Sequence, residues 1–376
     1  MDRDRVPCTS VLGWLARACC GLAVVAAASG CGSNNSSGSG FMQTNLVANA
    51  PGQALVTDPN LLNSWGIAHS PSSPWWVSDN HAGVSTVYDG EGMPAPSPTP
   101  LVVTIPPPAD SPPGTLASPT GIVFNGTTDF VVAGPAMSGP AAFIFSTEDG
   151  TISGWNRNAD PTAAILAVDN SGAEAIYKGL AIGSDGTRNL IYASNFHEGT
   201  VDVFDGTFTP VNPGGSFFVD PNIPSGFAPF GIQNVNGAIY VTYAKQDADK
   251  ADDVAGSGNG YVDVFAGDGS LVRRFTSQGQ LNSPWGVVLA PATFGRFGGA
   301  IIIGNFGDGR LNAFDPVSGV FLGQLNQPNG PSIVISGLWG LGFGNDGMAG
   351  SLDTLYFSAG PNGEADGLFG KLEATD

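Results

Sequence analysis

Cysteine is nearly missing from this chain. Four occur in 376 residues, and all four (Cys8, Cys19, Cys20 and Cys31) precede residue 32. Everything after that point must fold without a disulfide. Cations are scarce too: 13 Lys and Arg face 32 Asp and Glu, for a net charge of −19. That balance excludes a nucleic acid partner, because neutralising phosphates takes clustered cations. It fits a solvated, self-repelling surface, with cation binding by some carboxylates as the other reading. Histidine appears only three times. Apolar stripes of helical period are missing after the first 30 residues, and no apolar run approaches the roughly 20 residues a membrane-spanning helix needs. The nucleophile elbow Gly-x-Ser-x-Gly, the zinc phrase His-Glu-x-x-His and a phosphate loop ending in Gly-Lys-Ser/Thr are all absent.

Glycine and proline are abundant instead, at 55 and 29. Gly supplies positive φ and Pro fixes φ, so the chain is built for many tight turns. Short β-branched and aromatic runs lie between those turns and read as strands.

The first 30 residues read as an export signal. Arg3, Arg5 and Arg17 precede a short apolar stretch over 18–28, which leads into Ala28-Ser29-Gly30-Cys31. Small residues before a Cys resemble a bacterial lipobox, in which Cys31 becomes the acylated first residue of the mature chain. The other reading is an ordinary signal peptide cut nearby, with Cys31 incidental. The Ser/Gly/Asn-rich segment over 31–42 then serves as a tether. The expected organisation is a signal over 1–30, a tether over 31–42 and one domain over 43–376. The expected location is a bacterial outer membrane, cell surface or periplasm, with the membrane as partner through the lipid.

The domain repeats itself. Six units open with an apolar strand carrying a glycine: "SWGIAH", "PTGIVF", "YKGLAI", "PFGIQN", "PWGVVL" and "LWGLGF". Their glycines, Gly66, Gly121, Gly179, Gly231, Gly286 and Gly340, are 52 to 58 residues apart. A second run follows in each unit ("WWVSDN", "FVVAGP", "LIYASN", "IYVTYA", "IIIGNF", "LYFSAG"). A third run ends near an aromatic at Tyr88, Phe145, Phe204, Phe265 and Phe314, with Leu372 in the sixth. A looser fourth, such as "TISGWN", completes most units. Three to four short strands repeated six times predict a six-bladed β-propeller with four-stranded antiparallel blades. The sixth unit has only three strands, and the strand-like segment over 43–50 has no unit of its own. That segment is expected to supply the last blade's outer strand and close the ring.

The pattern of blades resembles NHL-type and senescence-marker/gluconolactonase-like propellers. More closely, "NLVANAPGQALVTDPNLLNSWGIA", "FIFSTEDGTISGWN", "SNFHEGTVDVFD" and "YAKQDADKADDVAGSGNGYVDVF" resemble an uncharacterised family of secreted bacterial proteins. The resemblance runs over residues 43–373. It implies a six-bladed propeller and export, and no activity. The lactone hydrolases of the wider group hold a divalent metal in the channel with Glu, Asn and Asp. No blade-opening strand here offers that Glu.

Chemistry in a propeller belongs at the channel mouths, so the candidates are strand ends and turns. Asp79, Asn80, Asn195 and Asn305 end second runs, and Asp308 follows in a turn. They read either as turn caps or as oxygen donors on one rim. His69 lies in an inner strand, while His81 and His197 sit in matching hairpins. The insertion over 244–260 packs Asp247, Asp249, Asp252 and Asp253 into seven residues, a density that suits Ca²⁺ or a similar divalent cation, or else a solvated acidic loop. Two functions follow. One is a binding or scaffold module for a protein, glycan or small ligand at one face. The other is a metal-dependent hydrolase or lyase using Asp79, Asn195 and Asn305, with His69 as acid/base.

Overall fold

The computed structural model describes residues 39–135, 137–211 and 217–375. Cys31, the export signal and most of the tether lie outside the described residues. Six small antiparallel sheets follow one another along the chain. Each begins with one of the glycine-bearing strands, Ser64–Ala68, Pro119–Phe124, Tyr177–Ser184, Phe227–Val235, Pro284–Leu289 and Leu338–Phe343. Each of these packs on the next, and the sixth packs on the first, so the ring is closed. The fold is a six-bladed β-propeller.

Close packing of the inner strands explains the repeated glycine. A Cβ on Gly231 would lie 2.1 Å from the Trp285 carbonyl oxygen, one on Gly121 would lie 2.3 Å from the Leu180 nitrogen, and one on Gly66 would lie 2.5 Å from the Thr120 carbonyl oxygen. The obstacle in each case is the backbone of the next blade.

The core is divided accordingly. Apolar clusters fill the gaps between successive blades, as where Trp76 and Val87 of blade 1 meet Phe143 and Trp155 of blade 2. The third-strand aromatics sit in these gaps: Tyr88, Phe204, Phe265 and Phe314 are all buried. A separate cluster of Trp65, Phe196, Phe230 and Trp339 lies on the axis.

Ring closure follows the expected route, with the bounds shifted a few residues. Strand Gly40–Ala48 pairs antiparallel with Leu368–Thr375 as the outer strand of blade 6. Val56–Thr57 adds a short parallel strand beside it. Phe41, Leu46 and Val47 of strand Gly40–Ala48 are buried.

Blade 2 departs from the sequence reading. Its second strand is Phe143–Thr147 and its third Thr151–Trp155, so Trp155 rather than Phe145 holds the third-strand aromatic position. Residues Val131–Ala133 pair instead with Ser138–Pro140 in a hairpin outside the blade. An alternating apolar run reads alike in a blade and in an inserted hairpin, so sequence periodicity alone does not separate them. Blade 3 shows three strands among the described residues.

Candidate functional site

In every inner strand the residue before the repeated glycine stands at the same level of the channel. These residues are Trp65, Thr120, Lys178, Phe230, Trp285 and Trp339. In each blade, the residue after the second strand's ladder partner of the position two before the glycine forms a tier beside them. By register these are Asn80, Glu148, Phe196, Ala244, Phe306 and Gly360. Four aromatics in the first tier and two in the second plug the channel. Trp65 stacks on Trp339 at 3.6 Å, Trp339 stacks on Phe306 at 3.9 Å, and Trp285 stands edge-on to Trp65 at 6.3 Å and to Trp339 at 5.7 Å.

Lys178 is the exception in the first tier. Its side chain is 3% exposed, and its Nζ donates to Glu148 Oε1 at 2.5 Å and Asp252 Oδ1 at 3.1 Å. The ammonium also lies 5.4 Å from the Trp65 ring centroid and 5.9 Å from that of Phe196. Below it, Trp285 Nε1 donates to the Lys178 carbonyl at 2.9 Å. Burial by itself pulls this ammonium down. The carboxylates of Glu148 and Asp252 outweigh burial and hold it above the ordinary lysine range.

A pocket of about 320 Å³ opens over this floor, lined by Asn63, Trp65, Asn80, His81, Glu148, Ile176, Ala251, Asp252 and Glu364. Two amides link its carboxylates. Asn80 Nδ2 donates to Glu148 Oε2 at 2.9 Å, and Asn63 Nδ2 reaches both Asn80 Oδ1 and Glu364 Oε1 at 3.3 Å. His81 Nε2 lies 3.4 Å from the same Asn63 nitrogen. Among the described residues, no cation is bonded to Glu364. Burial pushes its carboxyl up to about 7, with Glu148 adding to the shift and Asn63 and Lys178 opposing it. Asp253, in the inserted loop beside Asp252, is also raised by burial.

Asn80, His81 and Asp252 are therefore the anticipated residues that line this mouth. Asp79 is wholly buried inside blade 1, where its Oδ2 accepts from the Thr86 hydroxyl at 2.7 Å. Asn195 holds Asp202 and the Ile176 nitrogen within blade 3. Asn305 donates to the Gln280 carbonyl and to Asp308 Oδ1, and Asp308 pairs with Arg310 at 3.0 Å. These act as hairpin caps, one position short of the axial tier. In the insertion, Asp247 Oδ1 accepts from the Ala251 and Asp252 nitrogens while Asp249 is exposed. Among the described residues, no three His, Cys, Asp or Glu side chains are grouped to hold a metal ion.

His69 belongs to the other mouth, a funnel of about 390 Å³ lined by Ile67, Ile122, Phe124, Gln233, Asn234 and Leu341 among others. Both its ring nitrogens are occupied, Nδ1 2.8 Å from the Ser70 carbonyl and Nε2 2.8 Å from that of Phe343. His197 lies 3.9 Å from Glu174. The three histidines thus do not form one cluster.

Lys178, Glu148, Asn63 and Glu364 escaped the sequence reading. One signal was available for Lys178. The position before the glycine is aromatic in four of six repeats, and a charge there, in a chain with 13 cations, breaks the rule.

No family model matches the chain. Among curated proteins, "Uncharacterized protein R648" of Acanthamoeba polyphaga mimivirus is 32% identical over 336 residues, covering 87% of this chain and 78% of that protein. "Uncharacterized protein L690" of the same virus is 33% identical, covering 87% of this chain and 84% of its own length. The chain belongs to the family of these two mimivirus proteins. The relatives found for this family are thus viral, where the sequence motifs pointed to bacterial proteins. Solved structures similar to this family member include virginiamycin B lyase from Staphylococcus aureus, with 16% identity, TM-score 0.48, 89% of this chain and 98% of that one. A glucose dehydrogenase has 12% identity, TM-score 0.48, and coverage of 89% and 100%. Nothing about chemistry follows from likenesses of this size.

One consequence of the site is testable by stability alone. A carboxyl held at about 7 instead of 4.5 favours the folded protein most when protonated. That contribution is complete below the ordinary value and is lost as pH rises through about 7. Replacing Glu364 with Gln removes the loss. The variant is expected to match wild type near pH 5 and to exceed it by about 2 kcal/mol at pH 8, after discounting for partial exposure. Urea midpoints across that range check it. Asp263, pushed up to about 7 by burial despite its bond to Arg274, titrates in both proteins and cancels in the difference.

Proposed function

We propose that this protein is a binding propeller that takes a small ligand at the acidic mouth. The observation that carries the reading is the convergence there of polar side chains on an aromatic floor. Asn63 and Asn80 come from blade 1 and the connection before it, Glu148 from blade 2, Asp252 from blade 4 and Glu364 from blade 6. A concave, mostly preformed pocket with a few fixed polar groups is what small-ligand recognition requires. The Ca²⁺ reading of the Asp247–Asp253 loop has less support, because Asp252 is engaged by Lys178 and Asp247 by backbone nitrogens.

The export signal and the Cys31 motif support an exported protein held at a bacterial membrane by a lipid.

A thermal-shift screen of small molecules tests the binding role. Hits are expected to vanish in Asn80→Ala and to survive in Gln233→Ala, which alters the opposite funnel. Hits lost only in the second variant overturn the reading. Cys31→Ser is expected to move the protein from the membrane fraction to the soluble one, and unchanged fractionation rejects the anchor.

A further inference from the structure

Resting on the acidic mouth as the ligand site, the geometry points to a ligand class: a small primary amine with a neighbouring hydroxyl. We infer that its ammonium sits between Glu364 and Asp252 above Trp65, and that its hydroxyl meets the indole. The polar atoms of the pocket argue for this. Glu148, Glu364 and Asp252 supply more acceptor capacity than Lys178, Asn63 and Asn80 consume. Asn63, 1% exposed, leaves its Oδ1 without a partner among the described residues. A ligand must therefore bring donors, and an ammonium brings three with no acceptor. Among the described residues that line the pocket, one buried donor is also left over: Trp65, 2% exposed, has no partner for its Nε1. That indole calls for one acceptor oxygen on the ligand, beside the amine.

The protein already uses this chemistry on itself. The Lys178 ammonium rests against Trp65 and Phe196 and is held by two carboxylates, the arrangement that retains a cation out of water. With Lys178 balancing one carboxylate, the remaining charge of the mouth is negative, and the chain's net charge of −19 attracts cations and repels anions. The groups around Glu364 that carry or can carry charge are Glu148, Asp252, Lys178 and His81.

Serinol (2-amino-1,3-propanediol) and glycerol form a matched pair that differs by one ammonium for one hydroxyl. In ¹H–¹⁵N spectra of the whole protein at pH 8, serinol is expected to shift the Trp65 indole signal, assigned with Trp65→Phe, while glycerol at the same concentration leaves it unmoved. Glu364→Gln is expected to weaken serinol about tenfold, the loss of one close opposite charge. Wild-type affinity is expected to fall by a similar factor from pH 8 to pH 6, and that of the variant to hold. Equal shifts with glycerol overturn the amine class but leave the mouth as the ligand site. Serinol binding that Glu364→Gln does not change overturns the placement of the ammonium. No shift at the Trp65 indole with either probe overturns the inference, and the library screen with Asn80→Ala then judges the mouth independently.

Discussion

Lys178→Met is expected to destabilise the protein by about 3 kcal/mol, because it leaves a carboxylate facing a buried site with no counter-charge. Methionine keeps most of the apolar stem, so the loss isolates the ammonium from its packing. Glu148, with its side chain 26% exposed, takes most of the penalty; Asp252, 76% exposed, stays hydrated and takes little. Glu148→Gln is expected to cost a similar amount from the other side, since it strands Lys178 with only the exposed Asp252. The double variant Lys178→Met/Glu148→Gln should recover much of the loss, because neither charge is then left alone. Urea midpoints of the four proteins make the cycle. Additive losses refute a buried pair. A second readout follows the loop: freed from Asp252's anchor, residues 246–253 should be cut faster by trypsin at the exposed Lys250.

The largest effect belongs to the inner ring. Gly231→Ala places a methyl 2.1 Å from the Trp285 carbonyl oxygen, a distance no side chain tolerates. The blocking atom is backbone in a strand pinned on both sides, so relief requires moving one blade against another. A cost of about 4 kcal/mol or more is expected, enough to prevent accumulation of folded protein in a domain of ordinary stability. Gly179 offers the internal comparison. There the nearest atom is the Phe230 carbonyl oxygen at 3.1 Å, which a few tenths of an ångström accommodates. Gly179→Ala should therefore fold and melt only modestly lower. Equal stability of the two variants would refute inter-blade crowding as the reason for the repeated glycine.

The same glycines made the architecture legible. They recur because each copy must pass the same crowded point, so geometry writes itself into the sequence at a fixed interval. Closure by the amino-terminal strand was legible too, since the sixth unit lacked a strand and one unassigned segment had the right pattern. Blade 2 was misread at one step. Val131–Ala133 carries strand-like residues, but the pairing it makes is with Ser138–Pro140, and only the ladder of Phe143–Thr147 against the inner strand identifies the true second strand.

The site was less legible. Asp79, Asn195 and Asn305 looked like donors because they end strands, and strand ends need side-chain acceptors for local nitrogens whatever the function. Their neighbours one residue on, Asn80, Phe196 and Phe306, turn toward the axis. A shift of one residue along a strand changes the face, which composition does not register.

What the sequence determined alone is the repeat: six glycine-opened units, an apolar gap between each pair, a closing strand, and no disulfide to assist. Those features depend on neighbours a few residues or one repeat away. The tertiary structure decided which side chains share the mouth. Glu148 and Lys178 are 30 residues apart, Lys178 and Asp252 are 74, and Asn63 and Glu364 are 301. Ring closure brings them within hydrogen-bond reach because the axis is equally near every blade, and separation along the chain carries no information about distance across it.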